Sequence, residues 1–80
     1  MAVLCGDTMN DVVPSGCSSF VLPLHEVGQV AMGLWLVDNC SLEDLSAACD
    51  QLGRWAFLVT LAPLRIEGGT GSPLNPIVML

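Results

Sequence analysis

The chain has 80 residues, 52% of them apolar and 12% charged, and eight acids against two arginines give a formal net charge of −6. Two cations make no basic patch to neutralise phosphates, which excludes nucleic-acid binding and disfavours anionic membrane surfaces. A charged fraction close to half the usual ~25% also leaves too little polar surface to cover a small, self-sufficient domain. The expectation is a piece of a larger domain, or one half of an obligate oligomer.

The N-terminal stretch "MAVLCGDTMN" lacks a positive leader region and carries Asp7 early, so it does not read as a signal peptide. "GDTMNDVVPSGCSS" is rich in turn formers, and residues 1–22 are expected to be an irregular segment lying on a surface. From Leu24 the pattern becomes helical. Leu24, Val27, Ala31, Leu34 and Trp35 recur at helical spacing, which predicts a helix from about Pro23 to Met32, stopped by Gly33. The bulky run Leu34–Val37 predicts a buried strand that ends at Asp38 and Asn39. The longest strongly apolar stretch, Val27–Val37, is too short to span a bilayer.

"SLEDLSAACDQLG" is the clearest helix. Ser41 is a good N-cap, Glu43 and Asp44 suit the first turn, and Gly53 suits the close. Leu42, Leu45, Cys49 and Leu52 form its apolar face. "RWAFLVTLAPL" reads as a strand covered on both faces and stopped by Pro63. A glycine-rich loop from Gly68 to Pro76 leads to a last apolar strand, "PIVML". Residues 23–80 therefore read α-β-α-β-loop-β, an α/β fold with a largely buried sheet.

Chemistry concentrates at two positions. His25 is the only histidine; beside apolar residues it is either a structural hydrogen-bonding residue or a catalytic one. Asp38 follows a buried strand, at the end where sites of α/β folds collect; it is either a ligand or base, or a helix cap. A short α-to-β connection would bring both to one end of the layer, as a metal half-site or an acid–base pair. The cysteines Cys5, Cys17, Cys40 and Cys49 contain no C-x-x-C pair and read as reduced thiols, mostly core residues. Cys40, just before a helix, is a weaker candidate for a nucleophile. "GGTGS" is not a phosphate-binding loop, because no lysine follows it.

"LPLHEVGQVAMGLWLVDNCSLEDL" and "GRWAFLVTLAPLRIEGGTGSPLNPIVML" together resemble the C-terminal part of the cyclase family of metal-dependent hydrolases, which includes kynurenine formamidase (arylformamidase) and isatin hydrolase. Shared in order are a histidine-bearing helix, a strand ending in an acid or amide followed by Asn, an L-x-x-L helix, a long strand and a G-x-G-S-P loop. "GDTMNDVVPSG" resembles the segment before the histidine helix, and the likeness runs from about Asp7 to Leu80. The resemblance implies the C-terminal part of a swivelling β/β/α domain over residues 1–80, and a site using Mn2+ or Zn2+ to hydrolyse an amide-type C–N bond. It implies His25 as a catalytic residue and metal ligand, Asp38 as a metal ligand, and Gly69, Gly71 and Ser72 as a loop lining the substrate pocket.

The family's main metal motif, H-x-G-T-H-x-D-x-P-x-H, is absent from this sequence. The expectation is therefore a segment of an arylformamidase-like enzyme (the N-formylkynurenine to kynurenine class, tryptophan catabolism), cytoplasmic and inactive alone. Its partners would be a small-molecule amide substrate and the missing N-terminal portion, or a second copy, with no nucleic acid and no membrane. The alternative is a complementing subunit or a non-enzymatic interaction module that oligomerises through its apolar faces.

Overall fold

The computed structural model describes residues 1–80 as a mixed α/β chain in two compact units, Met1–Leu42 and Glu43–Leu80. In the first unit, β1 (Val3–Cys5) pairs in parallel with β2 (Trp35–Val37), with Val3 opposite Trp35 and Cys5 opposite Val37. Between them lies a helix whose regular part spans His25–Ala31. In the second unit, α1 (Glu43–Leu52) precedes β3 (Leu58–Thr60), which pairs antiparallel with β4 (Ile77–Met79).

Residues 1–22 are not wholly irregular, because β1 forms within them. The turn formers that follow hide a three-residue strand whose existence depends on the edge of β2, more than thirty positions on. The connection is stitched further by the Gly6 amide, which donates to the Val37 carbonyl at 3.0 Å, and by the Cys40 amide, which donates to Gly6 at 2.8 Å. From Gly6 to Leu22 the chain has neither helix nor strand, as expected.

The helix predicted over 23–32 is present but wound more widely than an α-helix. The Met32 amide reaches back five residues to the Val27 carbonyl at 3.0 Å, and the Leu34 amide bonds the Gly28 carbonyl at 2.8 Å. Such π-type winding is rare and recurs at functional sites; nothing in the local sequence accounts for it. Gly33 stops it with φ 66°.

The expectation of a largely buried sheet does not hold. Only Leu34, Val37 and Cys49 are buried apolar side chains. Leu34 and Val37 point inward, whereas Trp35 between them is 64% exposed. Every residue of β3 is exposed, so the strand read as covered on both faces is covered on neither within its unit. The reason is layer count: a two-stranded sheet has no second layer to bury its faces. Along the last segment the exposure alternates, with Ser72, Leu74, Pro76 and Val78 on the less exposed side, the period of an extended chain.

α1 starts with Glu43 and Asp44, where its dipole favours negative charge. It ends in a Schellman motif. Gly53, at φ 62°, donates to Asp50 at 3.1 Å, and Arg54 donates to Cys49 at 3.0 Å. Cys49 is buried and Leu42 and Leu45 half-buried, but Leu52 is 57% exposed, because the last helical residue lies at the open end of its face. All four cysteines are free thiols, but they are not mostly core residues: Cys49 alone is buried, Cys40 is half-buried, and Cys5 and Cys17 are exposed. No helix is long and apolar enough to cross a membrane.

Gly53→Ala forces a Cβ into the left-handed region and is expected to cost about 1–2 kcal/mol. Thermal denaturation of the variant reads that cost directly; an unchanged midpoint would show that the motif does not hold α1.

Candidate functional site

The first unit brings together four side chains, from Asn10, Asp11, His25 and Asp38. Asp11 comes from the irregular segment and meets the start of the helix. Its Oδ1 accepts from the Leu24 amide at 2.7 Å, and its Oδ2 accepts from the His25 amide at 3.0 Å. The first amides of a helix have no partner inside it, so a carboxylate 13 and 14 positions upstream of the two amides acts as the cap. The same Oδ2 lies 2.5 Å from His25 Nδ1. Asp11 thus fixes both the backbone and the ring of His25.

On the other side of the ring, His25 Nε2 lies 2.9 Å from Asp38 Oδ2. Asp38 follows β2 directly and does not need to serve α1 as a cap. Its Oδ1 accepts from the Asn10 amide at 2.9 Å and from Asn10 Nδ2 at 2.6 Å. Asn10 Nδ2 also reaches the Val37 carbonyl at 3.4 Å. Asn39, next in the chain, has φ 55°, a left-handed conformation that asparagine tolerates. In that conformation its amide donates to the Thr8 carbonyl at 3.1 Å.

Asn10 and Asp11 are adjacent in sequence and take opposite ends of one pair: Asn10 holds Asp38, and Asp11 holds His25. The two ends differ in solvation. The Asp11 side chain is 2% exposed, those of His25 and Asp38 23% and 25%. The open side of the ring is the Nε2–Asp38 side.

The charges follow this geometry. The hydrogen bond to Asp11 raises the His25 pKa above its ordinary value, burial opposes it, and the hydrogen bond and charge of Asp38 add to the rise. Burial pushes the Asp11 carboxyl up, but hydrogen bonds from the His25 ring and from the Leu24 and His25 amides outweigh it and hold the group below its ordinary value. Burial likewise pushes Asp38 up, and it is outweighed by the Asn10 amide, the His25 ring and the Asn10 side chain, which hold it low. With a carboxylate at each nitrogen, the ring in its cationic form donates from both.

Of the residues read from the sequence, His25 and Asp38 do meet. Asn10 and Asp11 were missed there, because "MND" reads as turn chemistry; the proximity of Asp11 to the histidine helix is a tertiary fact with no local signal. Gly69, Gly71 and Ser72 lie in the second unit, in the loop between β3 and β4. Gly68 has φ 69°, the Gly69 amide donates to Ile66 at 3.1 Å, and Ser72 Oγ accepts from the Leu64 amide at 3.0 Å. The Cys40 thiol donates to the Val37 carbonyl at 3.7 Å.

No group of three or more histidine, cysteine or acidic side chains is arranged to hold a metal ion. His25 and Asp38 nevertheless have the donor chemistry of a half-site: an imidazole nitrogen and a carboxylate oxygen facing each other, with the far ring nitrogen backed by a second carboxylate, as metal-bound histidines are. No family model, curated protein or solved structure matches this chain.

Two expectations follow. The His25 contribution to stability is fully present below the ordinary histidine value of about 6.5 and is lost as pH rises through its raised folded value. The Asp11 and Asp38 contributions are present above about 4 and are lost as pH falls through their lowered values. The difference in unfolding midpoint between wild type and His25→Gln should therefore be largest from about pH 4 to 6.5 and shrink on both sides; a flat difference would sink this account. Separately, a Cβ on Gly6 would stand 2.9 Å from Asn10 Oδ1. The Asn10 side chain can shift only by loosening its bond to Asp38, so Gly6→Ala should move the Asp38 and His25 NMR signals while leaving those of α1 in place.

Proposed function

We propose that the chain supplies part of the site of a metal-dependent hydrolase of the cyclase kind, with His25 Nε2 and Asp38 Oδ2 as two ligands to Mn2+ or Zn2+. The observation that carries this reading is the 2.9 Å approach of these two atoms on the solvent-open side of a ring whose other nitrogen is anchored by Asp11. Bound there, the ion would act as a Lewis acid and activate water toward an amide-type C–N bond. Asp38 is oriented by Asn10, and His25 by Asp11. A catalytic ion usually takes three protein ligands, so the remainder would come from outside this chain, and the chain alone would be inactive.

The arylformamidase-like reaction, N-formylkynurenine to kynurenine, the swivelling β/β/α domain, a cytoplasmic setting and a substrate-lining role for Gly69, Gly71 and Ser72 belong to the same reading. They rest on the order of motifs in the sequence. A second reading, an interaction module without catalysis, is favoured by the exposed apolar side chains, among them Trp55 at 66%, Leu58 at 63% and Met79 at 68%.

Calorimetric titration of Zn2+ and Mn2+ into the chain tests the proposal. Weak uptake is expected, reduced by at least about tenfold in His25→Ala and in Asp38→Asn, by analogy with the loss of groups around a bound metal. Uptake unaffected by either substitution would place the ion elsewhere. Metal-dependent formamide hydrolysis by the chain alone would overturn the need for outside ligands. Stable self-association without metal uptake would favour the interaction module.

A further inference from the structure

We infer that Asp11 is a positioning residue that keeps the Nδ1 proton of His25, so that Nε2 is the nitrogen the ring presents on the Asp38 side. The use made of Nε2 rests on the hydrolase reading above; the placement of the proton does not.

A neutral imidazole has one N–H and one lone pair, and each nitrogen here faces a carboxylate that can only accept while ionised. The proton must therefore choose between Asp11 and Asp38. Three observations favour Asp11. The Nδ1–Asp11 contact is the shorter, 2.5 Å against 2.9 Å. The Asp11 carboxylate is 2% exposed, so water cannot replace a lost ring donor there, whereas Asp38 is 25% exposed and can be solvated instead. Finally, Asp11 cannot turn away. Its two oxygens are held by the Leu24 and His25 amides, and the His25 amide belongs to the residue whose ring it receives. Turning a ring lone pair toward a buried, ionised carboxylate costs more than turning one toward a carboxylate that water can solvate.

One carboxylate performs two duties. As a helix cap Asp11 uses both oxygens, Oδ1 for the Leu24 amide and Oδ2 for the His25 amide. As the holder of the Nδ1 proton it uses Oδ2 again. Asparagine keeps one acceptor and puts a donor in place of the other, so it weakens the cap and removes the Nδ1 acceptor together; the ring tautomer is the readout that a cap alone would not move.

His25 is the only histidine, so the full chain labelled with 15N gives a single pair of imidazole nitrogen signals. With the ring neutral, a long-range 1H–15N spectrum of the wild type is expected to place the proton on Nδ1, and added Zn2+ should shift Nε2 while Nδ1 stays protonated. Asp11→Asn should move the proton toward Nε2, and Asp38→Asn should leave it on Nδ1. A wild-type proton on Nε2, or a tautomer that follows Asp38 rather than Asp11, overturns the inference. Should Asp11→Asn fail to fold, the wild-type and Asp38→Asn spectra still decide. An Nδ1 proton with no response to Zn2+ supports the role of Asp11 and counts against the metal reading.

Discussion

A histidine held between two carboxylates ties together three parts of the first unit that are far apart in sequence. Asp11 reaches the start of the helix, Asp38 leaves the end of β2, and Asn10 closes the loop between them. The hydrophobic core is too small to do this: Leu34 and Val37 are the buried large side chains of the unit. Apolar burial stabilises in proportion to area, and here there is little of it. Directed hydrogen bonds to ionised groups, each stronger than a neutral one, therefore specify where the N-terminal segment lies.

That dependence has a chemical consequence. The side of the ring toward Asp11 is sealed and fully bonded, and the side toward Asp38 is open to solvent. A site built this way separates positioning from chemistry. The residue that orients the ring is out of reach of a ligand, while the nitrogen and oxygen that would meet one share the accessible face. The wide winding that begins at His25 lies at the same place.

The second unit shows the opposite balance. Its helix is well ended by the Schellman motif at Gly53 and its loop is clasped by Ser72, so its local structure is complete. Its sheet is not covered. Leu58, Val59, Ile77 and Met79 make an antiparallel pair whose apolar side chains face solvent. Single exposed apolar residues are ordinary; here four of them lie together on one strand pair. The low charge of the sequence and the exposed hairpin are one property seen twice.

The sequence by itself determined what depends on near neighbours. The spacing of Leu42, Leu45 and Cys49 located α1, Gly33 and Gly53 marked helix ends, and short apolar runs located β2, β3 and β4. It also singled out His25 and Asp38, because residue type and position at element ends are local facts. Only the tertiary structure decided the rest. β1 exists because β2 offers an edge, and no pattern within "MAVLC" announces that. Burial depended on how many layers stack, which no single strand encodes. Asp11 became the partner of His25 through a contact across fourteen positions of irregular chain. Hydrogen bonds between distant side chains are set by the path of the backbone, and that path is the sum of every contact in the unit.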